Sequence, residues 1–119
     1  MVHLAQGHGL IYHVCSPAPS WFFDQELIDG GLLIVSRYPI IDTKFDKFND
    51  SIPSLLADGF VAKGLLYAKI ELRQDRILHL FNTHTQATEN DITVQEYAET
   101  FVSRYEQLKL TKFVIDAII

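Results

Sequence analysis

The sequence predicts a mixed α/β fold with mostly antiparallel sheets, and three observations carry that expectation. GLLYAKIEL and ILHLFNTHTQ are apolar runs on either side of the polar RQDR, the pattern of an antiparallel hairpin. Both runs are apolar on both faces through much of their length, which requires cover on each side from a second sheet or from helices. Beyond Asn90 the apolar spacing changes to three, four and seven, the mark of a long helix. Strands precede a helix without regular βαβ alternation, so a mixed sheet with antiparallel pairs follows.

Taken in order, GLIYHV (Gly9 to Val14) reads as a short strand ended by the Pro17 to Pro19 stretch. SWFFDQELIDGG carries Trp21, Phe22 and Phe23, which are read as core packing rather than as a membrane wedge. LLIVS, Leu32 to Ser36, is a continuous apolar run between turn signals, expected to be a strand buried on both faces. Pro39 can lie only at a strand edge or between strands. Ile41 to Phe45 alternates and predicts a half-exposed strand, whereas Asn49 to Ala62, with Pro53 and Gly59, predicts a loop with one helical turn. In the final helix Val94, Tyr97, Phe101, Tyr105, Leu108, Ile115 and Ile119 form one apolar stripe, the face such a helix turns to a core. Thr93 with Glu96 is a capping-box pattern that sets its start near Asp91 to Thr93.

With 119 residues the chain is at most one domain, and its 48% apolar and 21% charged residues are an ordinary soluble balance. No stretch approaches the ~20 apolar residues of a transmembrane span, and no basic segment followed by an apolar one marks a secretion signal. The single Cys15 excludes an internal disulfide and fits a reducing compartment, so the expected location is cytoplasmic or peripheral to a membrane. Net charge is −5 and the ten basic residues are scattered, which disfavours nucleic acid as a partner.

His84 is the leading candidate for chemistry. Strand parity puts Leu78, Leu80, Asn82 and His84 on one face and His79, Phe81 and Thr83 on the other. His84 then sits at the polar end of an apolar face, where an imidazole can donate to a phosphoryl oxygen or shuttle a proton. His79 is read as a packing residue. His3, His8 and His13 stand five apart, which suits neither helical nor strand ligation of a metal. Cys15 is read as a buried bystander, with strand alternation taken to set it apart from His13. Asp42, Asp46 and Asp50 are read as solvated.

Four motifs in register resemble the endonuclease/exonuclease/phosphatase superfamily, and within it the neutral sphingomyelinase branch. They are DGGLLIVSRYPI (Asp29 to Ile40), KGLLYAKI (Lys63 to Ile70), LHLFNTHTQA (Leu78 to Ala87) and the pair Arg104 and Gln107. The resemblance implies part of a four-layer α-β-β-α sandwich with mixed, mostly antiparallel sheets. It also implies Mg²⁺-dependent phosphodiester cleavage, with sphingomyelin giving ceramide and phosphocholine at a membrane surface. His84 matches the family histidine that stabilises the phosphoryl group, and Lys63 the position of a basic residue near the phosphate. The family's metal-binding Asn and Glu, its Gly-Asp-x-Asn segment and its Asp-His pair have no counterparts here. Residues 1–119 are therefore expected to be a partial domain, a central fragment inactive by itself, with Mg²⁺ ligands outside this chain. The alternatives are a nuclease or inositol-phosphate phosphatase of the same fold, or a binding module without catalysis.

Overall fold

The computed structural model describes residues 2–18, 28–29, 31–48, 61–87 and 93–119. A short helix, α1 (Val2–Gly7), precedes strands β1 (Tyr12–Cys15), β2 (Ile28–Asp29), β3 (Leu33–Ser36), β4 (Ile40–Lys47), β5 (Val61–Ala62), β6 (Gly64–Arg73) and β7 (Arg76–Thr83). The long helix α2 (Val94–Ile118) follows. Helix α1 escapes the sequence reading because it is six residues long and buries none of them, so no apolar periodicity marks it. Its end is nevertheless written in Gly9. That glycine takes φ 81°, and the Leu10 and Gly9 amides reach back to the Ala5 and Gln6 carbonyls, closing a glycine-capped helix end.

The strands form three groups. β4, β6 and β7 make an antiparallel sheet in the order β4-β6-β7, β1 and β3 make a two-stranded antiparallel ribbon, and β2 pairs with β5 in parallel. The β6–β7 hairpin turns through Gln74 and Asp75, with Asp75 at φ 64°, a left-handed conformation that a short polar side chain tolerates. Gly64 opens β6 for a steric reason. A Cβ there would lie 2.5 Å from the Phe45 ring and 2.6 Å from the Asp46 carbonyl oxygen.

Strand β6 is buried on both faces, as its two-sided apolar pattern requires, whereas β7, expected to be covered likewise, lies at the sheet edge and exposes Ile77, Leu78 and Leu80. Leu66, Ala68 and Ile70 face the ribbon and pack with Leu32 and Ile34, joined by Val14, Ile40 and Phe45. Leu65 faces the helix and packs with Phe48 and Val114, joined by Phe81, Leu110 and Ile118. The layers thus run ribbon, sheet, helix, a mixed α/β arrangement with two antiparallel sheets. Strand β3 is fully buried on one face (Ile34, Ser36) and half-buried on the other (Leu33, Val35), less than the two-sided burial expected of it. Of the loop and helical turn expected over Asn49 to Ala62, residues 49–60 lie outside the described residues and Val61–Ala62 form β5 instead of loop. The aromatic triplet at 21–23 also lies outside the described residues.

Helix α2 begins as its sequence predicts. Thr93 is the N-cap, its hydroxyl accepting from the Glu96 amide at 3.2 Å while its own amide donates to the Glu96 carboxylate at 2.7 Å. Its buried face is a correction. Ser103, Gln107 and Val114 are buried, with Leu110 and Ile118 packed beside them. The expected stripe (Val94, Tyr97, Phe101, Tyr105, Leu108 and Ile119) is exposed, and Ile115 is half-buried. Positions 103, 107, 110, 114 and 118 also follow helical spacing, but two of them are polar, so the apolar count favoured the opposite side.

Candidate functional site at the open end of the hairpin

His84 is the first residue past β7, and it is exposed. The strand that delivers it follows the expected parity. Asn82 reaches the ribbon, its Nδ2 donating to the Leu33 carbonyl at 3.2 Å, while His79 meets Tyr67 on the helix side. Two hydrogen bonds bracket His84. The Thr83 hydroxyl donates to the Gly64 carbonyl at 2.8 Å, and the Gln86 amide donates to Gln107 Oε1 at 2.8 Å. Gln107 is 1% exposed, and its Nε2 donates onward to the Ser103 hydroxyl at 3.4 Å. The segment that carries the histidine is therefore tied to the sheet on one side and to α2 on the other. Composition and periodicity had no signal for that second tie. It becomes legible only as a buried amide set in an otherwise apolar core, where an unmade hydrogen bond is costly.

Lys63 lies between β5 and β6 and is 1% exposed. Its carbonyl accepts from the Phe48 amide at 2.9 Å. Because Leu65 pairs with Thr83 in an antiparallel ladder, Lys63 and His84 come to the same end of the sheet. Arg104 is half-buried on α2, one turn before Gln107. THTQA and the start of KGLLYAKI thus come to one end of the sheet, and Gln107 of α2 reaches the same segment through the Gln86 amide.

The other candidates stand elsewhere. Among the described residues no group of three or more His, Cys, Asp and Glu gathers to metal-binding size, and His3, His8 and His13 are all exposed. Cys15 is exposed rather than buried, and its two-residue separation from His13 on β1 puts both on one side of the strand. Among the described residues no helix is long and apolar enough to cross a membrane.

No family model matches the chain, and no solved structure matches it significantly. Curated proteins do. A sphingomyelinase of Dictyostelium discoideum is 33% identical over 94 residues, covering 73% of this chain and 20% of the relative. An inositol phosphosphingolipids phospholipase C of Schizosaccharomyces pombe is 33% identical over 76 residues, covering 61% of the chain and 18% of the relative. Sphingomyelinase C 2 of Leptospira interrogans is 34% identical over 70 residues, covering 59% and 11%. The chain spans a fifth or less of the length of each. Over the segment that it shares with them, the chain is a homologue of sphingomyelinases and of an inositol phosphosphingolipids phospholipase C, consistent with a sphingomyelinase-like branch.

Proposed function

We propose that residues 1–119 are a partial domain of a Mg²⁺-dependent sphingolipid phosphodiesterase that cleaves sphingomyelin to ceramide and phosphocholine at a membrane surface. The observation that carries this reading is the 33% identity to a sphingomyelinase over 94 residues. In the same proposal the ribbon, sheet and helix are three layers of a four-layer α-β-β-α sandwich.

The chemistry is in-line attack of water on phosphorus. His84, held at the rim by the Thr83 and Gln86 hydrogen bonds, donates to the phosphoryl oxygen as negative charge grows there. Lys63 is the proposed phosphate-holding cation, acting from a buried position where its charge is screened less than at a surface. The Mg²⁺ is proposed to take its ligands from outside this chain, and no step is derived through it.

The test compares the 119-residue chain with a form extended at both ends, on sphingomyelin vesicles with millimolar Mg²⁺. Inositol phosphosphingolipid vesicles run in parallel, because one relative is named for that substrate. The short chain is expected to be inactive and the extended form active. His84→Ala in the extended form should lower kcat by about 10²–10³-fold, the usual loss of one well-placed donor to a developing oxyanion. Metal-dependent turnover by the purified short chain, or an unchanged kcat in His84→Ala, would overturn the proposal.

A further inference from the structure

The helix-facing side of the β4-β6-β7 sheet holds a concavity of about 350 Å³, away from His84. It is lined by Asp42, Thr43, Lys44, Tyr67, Lys69 and His79, with Ile118 of α2 as its wall. Register explains how it is built. Asp42 pairs with Lys69 and Lys69 with His79, while Lys44 pairs with Tyr67 and Tyr67 with Phe81, so two adjacent cross-strand rows put these side chains on one face.

The donors in this concavity outnumber the acceptors. The Tyr67 hydroxyl lies 2.9 Å from His79 Nδ1, and the two rings stack with centroids 6.0 Å apart. Burial first, and the Asp42 carboxylate second, raise the Tyr67 pKa and hold its proton on oxygen. The Tyr67 contact occupies Nδ1, so Nε2 is the ring nitrogen left for a ligand, and it carries an N–H in the tautomer whose Nδ1 accepts from the phenol. Lys44 is taken up by Asp46 at 3.0 Å. Lys69 is half-buried, and its ammonium has no hydrogen bond or ion pair among the described residues, although Asp42 and His79 flank it. The Asp42 carboxylate already accepts from the Thr43 amide at 2.9 Å. An ammonium removed from water in this way is stabilised by an acceptor-rich partner.

We propose that this concavity binds a phosphate-class oxyanion, either free phosphate or a phosphomonoester, between the Lys69 ammonium and the His79 Nε2–H. Its volume is at the small end of ligand sites, which suits a group of that size. Asp42 stands at the edge, where it would attract a cationic substituent on an ester and has nothing to offer a bare anion. The site is independent of the phosphodiesterase reading, because its residues face the helix and His84 lies beyond the strand end.

The experiment titrates inorganic phosphate and phosphocholine separately into the protein and follows the His79 imidazole by NMR, assigned with His79→Gln. Saturable shifts are expected for at least one ligand. Tighter binding of phosphocholine identifies an ester site, and equal or tighter binding of phosphate a free-anion site. Lys69→Met, which keeps most of the stem, should weaken binding by roughly tenfold or more, the worth of one charge-assisted hydrogen bond. Lys69→Arg should retain binding and shows that the position tolerates substitution, while His84→Ala should leave the titration unchanged. No saturable shift with either ligand, or equal affinity in Lys69→Met, would overturn the proposal. Loss of the His79 shifts in His84→Ala would overturn it as well.

Discussion

The β6–β7 hairpin and helix α2 were both marked by strong apolar periodicity, and the structure treats the two patterns differently. In the hairpin the pattern and the burial agree along the central strand β6 but not along β7, which exposes Ile77, Leu78 and Leu80. β6 is apolar on both sides and is covered on both sides, and the parity of β7 sends Asn82 to the ribbon and His79 to the helix side. In α2 the period is correct and the face is not. The helix buries Ser103, Gln107 and Val114 and exposes Val94, Tyr97, Phe101 and Tyr105. The lesson is that a strand in mid-sheet has its two faces fixed by its neighbours, whereas a lone helix on a sheet can rotate. One well-placed amide can then decide which side it shows, because burying Gln107 is tolerable only with the Gln86 amide in reach.

The largest expected effect tests the hairpin half of this comparison. Leu66 is 1% exposed in the cluster facing the ribbon, so Leu66→Ala should cost about 2–5 kcal/mol in chemical denaturation. Leu78, on the same sheet face but 41% exposed, should cost well below that range when changed to alanine. Equal costs at the two positions would mean that the ribbon covers β7 as fully as β6, contrary to the burial described.

The helix half has a sharper test, with an effect of intermediate size. Gln107→Ala removes the acceptor of the Gln86 amide and should cost about 1–3 kcal/mol, with faster amide exchange at residues 84–87. Phe101→Ser, on the exposed stripe, should change stability by only about 0.5 kcal/mol or less. If Phe101→Ser proves the costlier of the two, α2 packs through its apolar stripe and the present face assignment is wrong.

These contrasts show how much was legible in the sequence. The hairpin, its turn, the strand at Leu33–Ser36, the break at Pro39 and the capped start of α2 were all readable, because each rests on a local rule: alternation, a polar turn, a missing amide hydrogen, or reciprocal capping. Helix α1 was not, since six residues without a buried face carry no pattern. The site was legible in part. His84 at a strand end followed from β7, but its tether depends on Gln86 meeting Gln107 across 21 residues, and no local rule encodes that meeting. Cys15 went wrong for a simpler reason. Residues two apart on a strand share a face, and that face of β1 is open to solvent.

A smaller effect belongs to the helix start, which sequence and structure describe alike. Thr93→Ala deletes the hydroxyl that accepts from the Glu96 amide, and should cost about 0.5–2 kcal/mol, read as a lower denaturation midpoint. A value near zero would mean that the first turn of α2 is frayed in solution and that the cap holds nothing in place.

The smallest expected effect is a pH dependence at that cap. The Glu96 carboxylate accepts from the Thr93 backbone amide at 2.7 Å and from the Thr93 hydroxyl at 2.8 Å. Both bonds favour the ionised form, the backbone bond more than the hydroxyl, and they hold the Glu96 pKa below its ordinary 4.5 against a weaker opposing effect of burial. A carboxylate whose pKa is depressed on folding stabilises the folded state above its unfolded pKa. That contribution fades as pH falls through the lower, folded value. The helix start should therefore loosen only below pH 4.5, as faster exchange at the first-turn amides while the hairpin amides are unaffected. Thr93→Ala separates the two causes, because it removes the hydroxyl and keeps the backbone amide. In that variant Glu96 should titrate between its position in the parent protein and the ordinary value. A Glu96 that titrates at or above 4.5 in the parent protein would show that the reciprocal cap does not persist in solution, and that the first turn of α2 needs another explanation.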